Sequence, residues 1–213
     1  VTGDRFERFT LLAGPIAGLV LVGGLALTWG DPSSEDAAEQ HFTYWAENRG
    51  QHQISGLLLA PLVAFLLVFF GAGLQRVLQR GSDRWNHGVV AFGGAILAAA
   101  TFVLVGMLEG AATNAAHEGE RQAVYTLSQL HSYDWVAWNA AFAAMLLATG
   151  LGARRNRALP TPLAWATIVV GASLLTPLGL FGFFLLPLWL FVTGLWLTLH
   201  SAPLDPAKAE GGS

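Results

Sequence analysis

No cysteine occurs anywhere in this chain of 213 residues. That absence removes disulfides, thiolate zinc sites, iron–sulfur clusters, covalently attached c-type haem and thiol catalysis together. Lysine is almost missing too. The single example, Lys208, lies near the C-terminus, so no apolar helix offers the amine that a retinal Schiff base requires. Charge of either sign is scarce: 12% of residues are Asp, Glu, Lys or Arg, against about 25% in an average soluble chain. The formal balance of -3 gives nucleic acid nothing to bind. No Walker loop, serine-hydrolase elbow, HExxH pair or GxGxxG in context is present. A b-type haem clamped between helices needs histidines inside apolar spans, and only His52 and His131 come near span ends.

What the chain has instead is apolar length. Hydrophobic residues make up 54% and the mean hydropathy is +0.50. Stretches of roughly 18 or more such residues are long enough to cross a bilayer as helices. Six are read here, at about 9–29, 53–75, 88–110, 134–151, 162–178 and 180–200. The first follows Arg5 and Arg8 like a signal peptide. Its apolar stretch outruns the 7–15 residues of an h-region, so it is taken as a retained helix. The last two share one uncharged run, within which "TPLGLFG" supplies Pro and Gly for a turn.

The basic residues orient the bundle. Arg5, Arg8, Arg76, Arg80, Arg84, Arg154, Arg155, Arg157 and Lys208 fall on one side, with only Arg49 and Arg121 on the other. Positive-inside bias then predicts both termini in the cytoplasm of a bacterial inner-membrane protein. Trp29, Trp45, Trp135 and Trp138 mark the outer boundary, and Trp85 and Trp165 the inner one. Residues 201–213 read as a disordered cytoplasmic tail.

Polar chemistry concentrates in the two outer loops, about 30–52 and 111–133, which hold His41, His52, His117 and His131. The first loop predicts an amphipathic helix at about 34–48. Its expected start signal is a capping box of Ser33 with Asp36, its end signal is Gly50, and its stripe is Ala38, Phe42 and Trp45. In the second, Glu109, Thr113 and His117 fall at i, i+4 and i+8, with Asn114 beside them. His131, Asp134 and Trp138 make a matching face on the next helix. Glu109, Thr113, Asn114 and Asn139 are candidates for a polar ligand or proton site. His52, His117, His131, Asp134 and Glu109 would together suit zinc or another borderline divalent ion. Surface polarity without chemistry is the competing reading of the same residues, and no cofactor is otherwise expected.

The segment "AEQHFTYWAENRGQHQISGLLLAPLVAFLLVFFGAGLQRVL" resembles small multi-pass membrane proteins of actinobacteria whose function is unknown. The resemblance covers the first three or four helices and marks Phe42, Asn48, Arg49 and Gly50 as the shared pattern. It implies the same membrane topology and no activity. The expectation is therefore an all-α integral membrane protein, a six-helix bundle that binds a ligand, an ion or a partner. The alternatives are a metal-assisted hydrolase or transferase at the outer leaflet and a purely structural subunit. Expected partners are lipids, another membrane protein or a second copy.

Overall fold

The computed structural model describes residues 2–33, 35–79 and 86–200. Among them the chain is all helical: α1 (Thr2–Leu27), α2 (Ala38–Glu47), α3 (Arg49–Ile54), a π-helical turn (Ser55–Leu59), α4 (Ala60–Gln79), α5 (His87–Glu118), α6 (Arg121–His131), α7 (Asp134–Asn156), α8 (Thr161–Ser173) and α9 (Gly179–His200). Arg80, Arg84, Trp85 and the expected tail at 201–213 lie outside the described residues.

Among the described residues, five helical stretches are long and apolar enough to cross a membrane: α1, the run from α3 through α4, α5, α7 with α6 leading into it, and α9. The chain is a multi-pass membrane protein. The helix found where a sixth span was expected, at 162–178, is shorter than predicted. α8 has 13 residues, about 20 Å, because Pro177 disfavours helix at Thr176. Turn bonds from Thr176 N–H to Ser173 and from Gly179 N–H to Thr176 take over there.

Side by side, the helices run in the order α9, α1, α4, α5, α7, α8, and α8 returns to touch α9. Phe70, Phe142, Leu67, Met145, Leu146, Leu186 and Leu190 fill the interior with essentially no exposure. Leu19, Leu57, Leu97, Val169, Leu188 and Leu199 face outward, as a helix surface against lipid requires. Polar groups inside the bundle are few, and while some are paired, Trp138 Nε1, Thr193 Oγ1 and both amide atoms of Asn139 have no hydrogen-bond partner among the described residues. The Trp189 indole N–H donates to Thr167 Oγ1 at 2.9 Å, and Thr149 bonds back to the Met145 carbonyl.

The tightest crossing joins the π turn to α5. A Cβ built on Gly106 would lie 2.2 Å from the Gly56 carbonyl oxygen, so both glycines are needed for backbone to meet backbone. The π turn has its own cause in Pro61, which has no N–H to give the carbonyl four residues back. Ala60 N–H bonds instead to Ser55, five residues back, and the widened turn carries Gly56 into α5. On α1, Gly14 lies under the Phe70 ring and Gly18 against the Pro187 carbonyl.

At one end α2 and α6 pack on each other and on α5, forming a cap around Trp45, Ala112, Ala116 and Val124. At the other end Arg154 stacks over Trp165 at 4.1 Å. There too, Asn156 Nδ2 donates to the Val77 and Leu78 carbonyls at 3.2 Å. The cap helix begins at Ala38 rather than 34. Asp36 does accept from Ser33 N–H at 2.7 Å, but within a turn, and Gln40 Oε1 caps the helix by accepting from Ala37 N–H. Gly50 ends nothing; it lies inside α3. The buried side of α2 is His41 and Trp45, while Ala38 is exposed.

Arg121 pairs with Glu39 across the outside of the cap, its guanidinium 4.8 Å above the Phe42 ring. Both side chains are 61% exposed, so water and salt screen the pair. Glu39→Gln is expected to shift unfolding free energy by no more than about 0.5 kcal/mol, measured by thermal unfolding in detergent. A loss several times larger would mean that the cap is held by this bridge rather than by its apolar contacts.

Candidate functional site at the capped end

The site is built around His52, at the end of α3 and fully buried. Its ring lies 4.2 Å from the Trp45 ring, centroid to centroid, with Tyr44 meeting it edge-on. Nε2 is 3.1 Å from Tyr44 Oη, and the Tyr44 hydroxyl donates to Asp31 Oδ1. Burial, followed by the hydrogen bond and charge of Asp31, pushes the Tyr44 phenol well above its ordinary pKa, so it stays a donor. With its one hydrogen given to Asp31, the phenol oxygen must accept from His52 Nε2–H. The other ring nitrogen, Nδ1, faces Glu109, whose Oε2 lies 3.7 Å away, too far for a hydrogen bond.

Glu109 owes its position to the Gly56–Gly106 contact one turn below it. The acid is 3% exposed, and a Cβ on Gly56 would lie 3.1 Å from its Oε2. That oxygen has no hydrogen-bond partner among the described residues, and neither does the buried Trp45 Nε1.

Asp31 joins the second half of the site. Gly30 takes a φ of +100, a conformation open to glycine, and turns the chain leaving α1 back beneath the cap. Asp31 Oδ2 is then 3.3 Å from His131 Nε2, and Asp134 Oδ2 lies 2.9 Å from His131 Nδ1. This second contact is close but poorly aligned for a hydrogen bond, so it acts as a charge contact. An imidazole with acceptors at both nitrogens is matched to them only as the imidazolium. His41, fully buried, contacts the Ser128 hydroxyl through Nδ1 and ties α2 to α6.

Between the end of α1, α6 and the start of α7 lies a cavity of about 520 Å³. Asp31, Glu109, His131 and Asp134 supply its charge, and Trp29, Trp45, Trp138 and Phe184 its aromatic wall. Three carboxyl groups face one imidazole there.

The predicted residues divide. His52 and Glu109 meet, His131 and Asp134 meet, and Asp31 with Tyr44 connects the two pairs. His117 is exposed, away from these contacts. Thr113 is buried but bonds back to the Glu109 and Gly110 carbonyls, and Asn114 is exposed and donates to Glu118. Asn139 is buried one turn inside α7, against Gly179, and neither amide atom has a hydrogen-bond partner among the described residues. Among the described residues no group of three or more His, Asp or Glu has the arrangement of a metal site. Sequence reading left Asp31, Tyr44 and Ser128 out of the candidates and named His41 only among the outer-loop histidines. Of these, only the i, i+3 and i+4 spacing of His41, Tyr44 and Trp45 on one helix face carried a signal.

One comparison with known proteins gives a match. A family model, described as "Domain of unknown function (DUF4386)", covers residues 9–203. The match therefore extends through the last two helices, beyond the four over which the resemblance was legible. No curated protein and no solved structure matches the chain.

Proposed function

This chain belongs to the DUF4386 family, of unknown function, and from that premise we propose that it is a binding protein of the bacterial inner membrane whose capped-end cavity holds a small cationic ligand. One observation carries the reading. Glu109 is 3% exposed, lines the cavity and keeps an oxygen without a hydrogen-bond partner. A buried carboxylate in that condition is costly unless a cation or donor meets it. Aromatic walls add the ring faces that favour ammonium groups. The metal-assisted alternative gains no support, because the ring nitrogens of His131 and Nε2 of His52 already face carboxylates or a phenol.

We place the capped end outside and both termini inside. Arg76, Arg154 and Arg155 lie at the opposite end, as positive-inside bias asks. α7 runs from the capped end to that arginine end. α9, whose Phe184 meets Trp29 and whose Phe191 shares a groove with Gly18, runs in the same direction. α8 and the turn after it must therefore recross, reaching the depth of Asn139 beside Gly179. That makes a short sixth crossing.

The test is thermal unfolding of the purified chain in lipid nanodiscs with butylammonium chloride, compared with butanol. At a concentration several times its dissociation constant, butylammonium should raise the wild-type midpoint by about 2–4 °C and leave Glu109→Gln unmoved. Butanol should move neither. Equal shifts in wild type and variant would overturn the reading.

A further inference from the structure

A second hollow adjoins the first. It is an apolar groove of about 510 Å³ between α1 and α9, walled by Leu19, Val22, Leu188 and Phe191. Val22 and Leu188 are more than half exposed on the lipid-facing surface. Close approach of α1 to α9 makes its floor, since a Cβ on Gly18 would meet the Pro187 carbonyl oxygen at 2.5 Å. The groove and the charged cavity share Leu25, Trp29 and Phe184 as a common wall. At that junction the Trp29 and Phe184 rings are 6.3 Å apart, tilted at 51°. A molecule lying in the groove therefore has one end at the edge of a polar chamber. From Gly18 to Trp29 the groove runs roughly 16 Å at 1.5 Å per residue, about the reach of a twelve-carbon chain.

Resting on the cavity reading above, we propose that the natural ligand is a single-chain amphiphile with an ammonium head, entering sideways from the bilayer between α1 and α9. Its head occupies the cavity. There the Glu109 Oε2 acceptor has no hydrogen-bond partner, and three carboxyl groups face one imidazole. Its chain occupies the groove, whose wall is hydrocarbon and aromatic throughout. An ammonium donates up to three hydrogen bonds and accepts none, which fits a site with surplus acceptors. A carboxylate or phosphate head would meet like charge. A diacyl lipid with a phosphate beside its amine would place that phosphate among Asp31, Glu109 and Asp134. The aromatic junction accepts a chain on one side and offers ring faces to a cation on the other.

The experiment uses the full chain in nanodiscs and a dodecylamine carrying a photoreactive diazirine at mid-chain, with the matching dodecanol probe as control. Cross-linked peptides are mapped by mass spectrometry. The amine should label α1 between 18 and 26 and α9 between 187 and 191 at least about 5-fold above α4 and α5. Val22→Trp, which fills the groove from its lipid side without touching the cap, should remove that excess. Leu188→Trp serves as the second filling variant. Glu109→Gln should weaken competition by unlabelled dodecylammonium roughly tenfold, the loss of about one charge-assisted contact.

Even labelling of all lipid-facing helices, with butylammonium still raising the midpoint of the wild type alone, would overturn the amphiphile and leave the cavity reading standing. Groove labelling equal for amine and alcohol, and indifferent to Glu109→Gln, would overturn the ammonium head and the cationic reading beneath it.

Discussion

Gly106→Ala is expected to destabilise this protein by about 3 kcal/mol, among the largest losses of any single methyl added to it. The added methyl would lie 2.2 Å from the Gly56 carbonyl oxygen and 3.4 Å from Ala60 Cβ. Its first obstacle is backbone, which cannot change rotamer to make room. The π turn would have to part from α5, drawing Glu109 away from His52. Overpacking of a tight interior costs about 1–3 kcal/mol, and a backbone clash belongs at the upper end. The measurement is thermal or denaturant unfolding of the purified variant, with Gly93→Ala as control. Gly93 lies on the same helix with nothing within 4 Å of its built Cβ, so its replacement should gain about 0.5–1 kcal/mol of helix propensity. Equal behaviour of the two variants would show that the Gly56–Gly106 crossing does not hold the bundle.

Asp31→Ala should loosen the cap without unfolding the bundle. Asp31 accepts from Tyr44 and faces His131 across 3.3 Å, so its loss strands a buried imidazole and a phenol at once. Removing one partner of a fully buried charge pair costs about 3–5 kcal/mol. Here Asp31 is 28% exposed, and water takes part of its place, which lowers the expectation to about 2 kcal/mol. The loss should appear as faster amide exchange in α2 and α6, with α5 and α7 unchanged. In a double-mutant cycle, Asp31→Ala and Tyr44→Phe should fall short of additivity by about 1 kcal/mol. Strict additivity would mean that the aspartate and the phenol act separately.

The crossing helices were legible because apolar length is a property of local sequence, and a bilayer imposes one minimum length on every span. Helical spacing also put Glu109 with Thr113 on one face and His131 with Asp134 on another, and the structure turns both inward. It failed for His117 because each i+4 step turns the face by about 40°, and two steps carry His117 to the exposed side of the last turn while Ala115 and Ala116 stay in the cap. Periodicity says which face a residue occupies, not what covers that face at a given height. Asp31 was lost for a different reason. It lies between helices, on a loop whose path depends on the backbone sign at Gly30, and no spacing rule reaches from residue 31 to residue 131. The contacts that give Tyr44 and Ser128 their roles were out of reach for the same cause, being made 13 and 87 positions away. The π turn also has no pattern in hydropathy, though Gly56 and Pro61 are both visible in the run.

The shortness of α8 has a consequence for the bilayer itself. On the topology proposed above, α8 is a crossing of 13 residues, about two thirds of a 30 Å hydrocarbon core, while α9 beside it, with 22 residues, is long enough for the whole. Lipids along the α8 flank would then shorten to meet it, at a fraction of a kcal/mol for each ångström of mismatch. That topology gives the protein its own thin spot, a dimple in one leaflet that favours short-tailed lipids. Membrane thickness would become a variable to which this chain responds.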